Sequence, residues 1–182
     1  MTELSLHMLD IIQNSIAAKA NLIEISVSED DLTDQLLIKI TDNGMGMDEE
    51  LLKKVADPFF TTRKTRKVGL GISLFMRAAE QCGGSLTIHS QLRIATVVTV
   101  VMKQKHIDRQ PMGDIAGVLS LMVSSNPTID FSYAHKTVKG TYLFTSKEIK
   151  QILEDVPVSD PKVVKFMREM IQQNLNEINA SI

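Results

Sequence analysis

Asp42-Asn-Gly-Met-Gly-Met47 follows the apolar run Leu36-Leu-Ile-Lys-Ile-Thr41, which indicates a β-strand. Asn-Gly is the strongest short turn signal, so the hexapeptide taken alone also fits an ordinary strand-ending turn. A carboxylate that emerges from an apolar strand can accept a hydrogen bond from an exocyclic amine, which suits Asp42 to select adenine over guanine. Gly44 and Gly46 allow positive φ angles and a close approach of the backbone to a flat base. Motifs elsewhere in the chain decide between the two interpretations.

A second glycine pair, Gly69 and Gly71, precedes a helical pattern that runs from Ile72 to Cys82. The free amides and the dipole of a helix N-terminus attract phosphate, so this turn is a candidate phosphate-binding loop. The turn is preceded by four basic residues, Arg63, Lys64, Arg66 and Lys67. They favour phosphate contact over a solvated face or a nucleic-acid patch, because four charges without an aromatic ladder make a small footprint.

Asp10 and Asn14 lie four residues apart in the first predicted helix, and hence one turn apart on one face. These three separated elements, in this order and spacing, resemble the GHKL superfamily of ATP-binding domains, which gyrase, histidine kinases and the MutL mismatch-repair proteins share. Asp57-Pro-Phe-Phe-Thr-Thr-Arg63 is similar to the phenylalanine box of the histidine-kinase branch. The resemblance covers residues 1 to about 104.

The resemblance implies a site for ATP or ADP with Mg²⁺. It implies that Asn14 holds Mg²⁺ through its side-chain oxygen, and that Asp42 binds adenine with the help of the Thr96 hydroxyl. The segment from Arg63 to Val68 would form a short lid over the triphosphate. The residues to which the resemblance assigns nucleotide contact are Asn14, Asp42, Gly44, Gly46, Arg63, Lys64, Lys67, Gly69, Leu70, Gly71 and Thr96.

Asp10 is the candidate catalytic residue. In the superfamily the residue at this place is Glu in branches that hydrolyse ATP or phosphorylate serine, and usually Asn in histidine kinases. An acid can take a proton from water or a hydroxyl, whereas a histidine acceptor supplies its own nucleophilic nitrogen. Asp10 therefore favours ATP hydrolysis or a hydroxyl acceptor, and the alternative is a structural aspartate that faces solvent.

Two stretches depart from the pattern of the superfamily. Asn14-Ser-Ile-Ala-Ala18 has no charge at its third position, so a contact made by that side chain in many relatives is absent. Leu92-Arg-Ile-Ala-Thr96 replaces a glycine-containing hairpin but retains the threonine.

Periodicity predicts an α/β protein, a two-layer α/β sandwich with a small α+β C-terminal appendage. Residues 1–104 form the ATP-binding domain in this interpretation, and residues 105–182 form a helix-hairpin-helix appendage of unknown role. The predicted helices cover residues 4–18, 48–55, 71–82, 113–124, 146–156 and a last segment from Pro161, and the predicted strands cover residues 22–27, 36–41, 85–90, 94–102, 128–134 and 141–145.

Composition excludes several classes of protein. A net charge of −2 argues against a nucleic-acid binder, and apolar runs of at most nine residues are too short to cross a membrane. The single cysteine, Cys82, offers neither an internal disulfide nor a metal cluster. We find no secretory signal before the first helix, so we expect the cytoplasm.

Three functions fit these observations. The first is a stand-alone ATP-dependent regulatory enzyme that hydrolyses ATP or phosphorylates a protein partner in trans, similar in outline to anti-sigma-factor serine kinases. The partner is required because the predicted asparagine helix starts so near Met1 that no phosphoacceptor hairpin fits before it. The second is a nucleotide-gated clamp that forms a homodimer, and the third is a non-catalytic adenine-nucleotide sensor.

Overall fold

The computed structural model describes residues 3–55 and 71–181. Within these ranges the chain forms six helices and six strands. The helices are α1 (Leu4–Ala17), α2 (Glu49–Val55), α3 (Gly71–Gln81), α4 (Ile115–Ser125), α5 (Ser146–Leu153) and α6 (Pro161–Glu177). The strands are β1 (Leu22–Asp30), β2 (Gln35–Asp42), β3 (Ser85–Gln91), β4 (Ala95–Lys103), β5 (Asp130–Lys136) and β6 (Thr141–Thr145).

All six strands belong to one sheet, in the order β3-β4-β2-β1-β5-β6. β1 and β5 run parallel, and every other neighbouring pair is antiparallel. Alternate residues of the central strands are buried, so one face of the sheet carries the core while the other is exposed or half-buried. The molecule is thus an α/β sandwich of two layers, as the sequence predicts.

The core lies between the sheet and the helices. Ile25 and Ile38 point from the sheet into this core, and Ile12 and Phe75 meet them from α1 and α3. α6 packs against α4 and adds Met167, which is fully buried. Burial of these side chains supplies the main driving force for folding.

Helix starts follow the sequence signals closely. Asp160 accepts a hydrogen bond from the amide of Lys162 at 2.8 Å, and Pro161 occupies the first turn of α6. Thr145 caps α5 by accepting a hydrogen bond from the amide of Lys147 at 3.1 Å. Both starts agree with the predicted ones.

The C-terminal half continues the same sheet. β5 and β6 form the predicted hairpin, and β5 pairs with β1 over seven residues, from Leu22 opposite Asp130 to Ser28 opposite Lys136. The core cluster also contains side chains from both halves. A domain boundary near residue 104 stays a prediction, and the described residues on its two sides share one sheet.

Candidate nucleotide-binding site

Asp42 is the last residue of β2, and only 6% of it is exposed. Its register partner on β4 is Thr96, so the two side chains lie side by side on one face of the sheet. Oδ1 of Asp42 accepts a hydrogen bond from the backbone amide of Gly44 at 2.9 Å. Oδ2 accepts one from the hydroxyl of Ser15 on α1 at 2.7 Å. The protein therefore holds both oxygens, and each retains a lone pair for a further donor.

Thr96 is part of a pair of hydroxyl groups at the same end of the sheet. Its Oγ1 lies 2.9 Å from Oγ of Ser90, its register partner on β3. Ser90 Oγ also accepts a hydrogen bond from the amide of Met47 at 2.9 Å and donates to the carbonyl of Ala95 at 3.1 Å. With these bonds made, the hydroxyl proton of Thr96 points toward Ser90, and its oxygen can still accept.

The loop after β2 is fastened to three neighbouring elements. The amide of Met45 donates to the carbonyl of Ala18 at the end of α1, at 2.9 Å. The carbonyl of Met45 accepts from the amide of Arg93 in the β3–β4 turn, at 2.6 Å. Asn43 Oδ1 accepts from the amides of Asn21 and Leu22, each at 3.0 Å. These bonds fix the backbone that follows the Asp42 carboxylate.

Both glycines of this loop are required by neighbouring protein atoms. A Cβ on Gly44 would lie 2.7 Å from the carbonyl oxygen of Ala18. Gly46 has a φ of +62°, and a Cβ there would lie 2.1 Å from the carbonyl oxygen of Gln91. The fold itself thus explains these two residues, and their contact with a base stays a prediction.

Asp10 and Asn14 lie on α1, as predicted, with Asp10 half-buried and Asn14 exposed. A Cβ on Gly71 would lie 2.7 Å from Oδ2 of Asp10, so this carboxylate lies against the first residue of α3. A negative charge at a helix N-terminus is favourable. The contact brings the candidate base next to Gly71, the second glycine of the predicted turn.

The structure therefore gathers the candidate residues at two places joined by α1. Asp42, Gly44, Gly46 and Thr96 lie at the end of β2, and Asp10 meets Gly71 at the start of α3. The remaining predictions fall outside the described residues, and they concern Arg63, Lys64, Lys67, Gly69, Leu70, the lid and the phenylalanine box at residues 57–63.

Ser15, which the sequence analysis did not select, is a hydrogen-bond partner of the candidate residue Asp42. Ser15 is named there only within the stretch Asn14-Ser-Ile-Ala-Ala18, for the charge that this stretch lacks. Helical spacing puts Ser15 on the buried face of α1 with Met8, Ile11 and Ile12, but that face also buries the polar residues Ser5 and His7, so spacing alone does not single out Ser15. A buried hydroxyl needs a hydrogen-bond partner, and Asp42 supplies it.

Mg²⁺ fits the chemistry of α1. Mg²⁺ prefers oxygen ligands and is commonly bound by one or two side chains together with substrate phosphates. Asn14 presents an amide oxygen from an exposed position, and the Asp10 carboxylate lies one turn before it. Across residues 3–55 and 71–181, there is no group of three or more His, Cys, Asp or Glu side chains that could hold a metal ion. Phosphate oxygens of a nucleotide would be suitable further ligands for Mg²⁺ here.

None of the helices in the described ranges is both long and apolar enough to cross a membrane.

Comparison with known families defines the class. The sequence model of one protein family, the histidine kinase-, DNA gyrase B-, and HSP90-like ATPases, matches residues 2–106, more than half of the chain. The protein is thus an ATPase-type domain, and it belongs to this family. Membership supports ATP binding, and it confirms the resemblance drawn from Asp42, the glycine pairs and Asn14.

Histidine kinases are among its relatives. Sporulation kinase B of Bacillus subtilis (strain 168) is 30% identical over 102 residues, which are 54% of this chain and 23% of that kinase. Sporulation kinase C of the same organism is 31% identical over 97 residues, or 53% and 22% of the two chains. The chain thus spans about a fifth of the length of these kinases.

A solved structure supports the fold. The crystal structure of the N-terminal domain of a DNA repair protein matches with a TM-score of 0.51 and 22% identity, and the match covers 79% of this chain and 52% of that chain. At this identity the likeness concerns the fold alone. It confirms the α/β fold class that the sequence predicts.

Proposed function

We propose that this protein binds ATP or ADP with Mg²⁺, and that it hydrolyses ATP or phosphorylates a hydroxyl group of a protein partner in trans. The observation that supports this most is the Asp42 carboxylate, buried at a strand end and held at both oxygens beside the Thr96 hydroxyl. Such a carboxylate accepts from the exocyclic amine of adenine, whereas guanine presents a carbonyl at that position. The cytoplasm is the compartment that we propose.

In this proposal two residues of α1 act at the phosphate groups of the nucleotide. Asn14 would ligate Mg²⁺ through its amide oxygen, and the metal would neutralise charge on the phosphates. Asp10 would take the proton from a water molecule or from a partner hydroxyl. The oxygen of that water molecule or hydroxyl attacks the γ-phosphorus at the same time. The bond from that phosphorus to the bridging oxygen breaks, and ADP leaves with the electron pair. The contact of Asp10 with Gly71 supports this role, because Gly71 belongs to the glycine pair that we predict to contact phosphate.

Calorimetry with ATP and GTP tests the base preference. Asp42→Asn should weaken ATP binding by about 1–3 kcal/mol, because an acceptor that faces the amine is lost. Asp31→Asn in the exposed β1–β2 turn is a matched control that should leave the affinity unchanged. Equal affinities of the wild type for ATP and GTP would refute the proposal.

The metal site has a separate test. Asn14→Ala should abolish the Mg²⁺-dependent gain in ATP affinity and leave adenosine binding unchanged, because adenosine carries no phosphates. Gln13→Ala, at the neighbouring exposed position of the same helix, is the control. A variant that keeps the full Mg²⁺ effect would show that the metal ligand lies elsewhere.

Turnover separates this proposal from the two alternatives predicted from the sequence. Transfer of labelled phosphate to a partner, or release of phosphate, supports the enzyme. Nucleotide-dependent dimerisation without turnover supports the clamp, and binding alone supports the sensor. A pull-down from cell extract with ATP and Mg²⁺ present would identify the partner.

A further inference from the structure

Ser15 stands at the junction of α1 and the sheet. It follows the exposed Asn14 directly, but its own side chain points inward and only 3% of it is exposed. Its Oγ lies 2.7 Å from Asp42 Oδ2 and 3.3 Å from the carbonyl oxygen of Ile11. One helix thus presents a candidate metal ligand outward and the partner of a buried carboxylate inward.

The two distances show where the hydroxyl proton is used. A serine hydroxyl has one proton, and serines within helices commonly donate it to the carbonyl four residues earlier. Ser15 has that option in Ile11, yet the contact with Asp42 is shorter by 0.6 Å, from 3.3 and 2.7 Å. A hydrogen bond to a carboxylate is also the stronger of the two. The hydroxyl of Ser15 therefore donates its proton to Asp42 rather than to the carbonyl oxygen of Ile11.

We propose that Ser15 is a positioning residue that gives the site its preference for adenine. This inference rests on the proposed function. Ser15 donates to Oδ2 and the Gly44 amide donates to Oδ1, so the carboxylate plane is fixed from both sides. A carboxylate held in this way offers only acceptors to a ligand. It favours a base with an N–H group at that place and disfavours one with a carbonyl.

The loop geometry shows which of the two donors to Asp42 can be changed by substitution. Gly44 is fixed by its fit against Ala18, and the neighbouring amide of Met45 donates to the Ala18 carbonyl. The donor to Oδ1 is therefore part of the backbone and cannot be removed by substitution. Ser15 is the side-chain donor to this carboxylate among the hydrogen bonds of the described residues, and it can be altered.

The test uses Ser15→Ala and two nucleotides, ATP and the triphosphate of purine riboside, which lacks the 6-amino group. Ala is a good helix former and removes only the hydroxyl. We expect Ser15→Ala to weaken ATP binding about tenfold, because ATP binding must then orient the Asp42 carboxylate, at a cost comparable to one hydrogen bond to a charged group. The affinity for the amine-free analogue should change by less than about twofold, and the ATP to GTP ratio should fall.

Ser5→Ala is the matched control. Ser5 lies on the same helix, is equally buried at 1% exposed, and contacts Glu3 instead of Asp42. It should leave both the ATP affinity and the ATP to analogue ratio unchanged. Urea unfolding of both variants measures the cost to stability separately from the change in selectivity.

Two results are distinguishable. If wild-type protein binds ATP and Ser15→Ala weakens ATP and the amine-free analogue by the same factor, Ser15 is only structural and this inference is overturned, while the proposed function stands. If wild-type protein binds neither nucleotide, the proposed function fails, and the role of Ser15 fails with it.

Discussion

At the scale of single residues, Gly46 is the position where backbone conformation restricts the side chain most clearly. Its φ of +62° and the 2.1 Å approach of a Cβ to the Gln91 carbonyl oxygen oppose any larger residue. We expect Gly46→Ala to lower the free energy of unfolding by at least about 1–2 kcal/mol, the cost of the left-handed conformation alone. Urea denaturation measures this change.

Gly140 provides the control for Gly46. A Cβ at Gly140 would meet Ile178 Cγ2 at 3.6 Å, which is ordinary van der Waals contact, and its φ is not positive. Gly140→Ala should change the free energy of unfolding by no more than about 0.5 kcal/mol. Equal losses in the two variants would mean that neither the positive φ nor the close approach to Gln91 restricts Gly46.

Asp10 is the residue on which the proposed turnover depends. A positioned base contributes about 10²–10⁴-fold, so Asp10→Asn should lower turnover by much of that range and leave nucleotide binding nearly intact. Asp10→Glu should preserve or raise turnover if the shorter acid limits reach. Single-turnover ATP hydrolysis, with and without candidate partners, gives the rates. Equal, measurable rates in wild type and both variants would remove Asp10 from the mechanism, whereas ATP binding without turnover in all three would favour the sensor.

At the scale of elements, α6 docks on α4 through one buried stripe. Val163, Met167, Ile171 and Leu175 recur at helical spacing and are buried, whereas the neighbouring Phe166 is 60% exposed. Met167→Ala should therefore lower the free energy of unfolding by about 2–5 kcal/mol, because it leaves a cavity.

Phe166→Ala is the control on the same helix. It removes a larger side chain than Met167→Ala does, but from solvent, so the free energy of unfolding should change by no more than about 0.5 kcal/mol. If Phe166→Ala proved the costlier change, α6 would dock through a different face.

Periodic signals make most elements predictable. α1, predicted to end at Ala18, ends at Ala17, and β6 has the predicted bounds of residues 141–145. α5 is shorter than predicted, since it stops at Leu153 and Glu154 adopts a φ of +49°. Local sequence patterns predict helix N-caps and the alternation of buried residues in strands. The residue at which a helix ends also depends on how the chain packs beyond it.

Contacts between distant segments are less accessible from the sequence. Local signals predict the hairpin of β5 and β6, but its parallel pairing with β1 joins residues about a hundred positions apart, for which no local pattern exists. The contact between Ser15 and Asp42 is equally hard to predict from the sequence. Its prediction requires the position of the C-terminal turn of α1 over the end of β2. A local motif makes Asp42 a candidate, whereas its hydrogen bond with Ser15 can be found only from the fold.

At the scale of the whole molecule, a buried polar network at the end of the sheet remote from Asp42 ties the two halves together. Glu29 Oε1 on β1 accepts from His135 Nε2 on β5 at 2.7 Å and from the amide of Ser181 at 2.9 Å. Tyr133 Oη lies 2.6 Å from His135 Nδ1, and Gln104 Nε2 donates to Glu29 Oε2 at 3.1 Å. The network therefore joins β1, β5, the connector after β4 and the C-terminal segment.

Glu29 gives this network a dependence on pH. Burial alone would raise the pKa of Glu29, but the hydrogen bonds from His135 and Ser181 and the attraction of His135 together lower the pKa below its ordinary value of 4.5. The folded chain therefore keeps the Glu29 carboxylate ionised where the unfolded chain takes up a proton. The stability that follows is present above pH 4.5 and is lost as the pH falls through the lowered pKa.

His7 acts in a separate and higher pH window. Burial against Phe75 lowers the pKa of His7 below 6.5, although the hydrogen bond with Gln110 opposes the shift. The unfolded chain then binds a proton that the folded chain does not, so stability begins to fall as the pH drops below 6.5. We therefore expect a fall that begins below pH 6.5 from His7, and a further fall below pH 4.5 from Glu29 together with other carboxyl groups.

We expect Glu29→Gln to reduce the loss of stability below pH 4.5, while leaving the fall that begins near pH 6.5 intact. The new amide can keep the bonds from His135 and Ser181, and Gln104 can turn its unpartnered Oε1 toward the new NH₂ group. Glu24→Gln, an exposed change on the same strand, should retain the wild-type profile. Urea unfolding from pH 7 to pH 3 measures all three proteins. If the free energies of unfolding of wild type and Glu29→Gln fall in parallel below pH 4.5, the acid dependence arises elsewhere and the ionisation of Glu29 does not contribute to it.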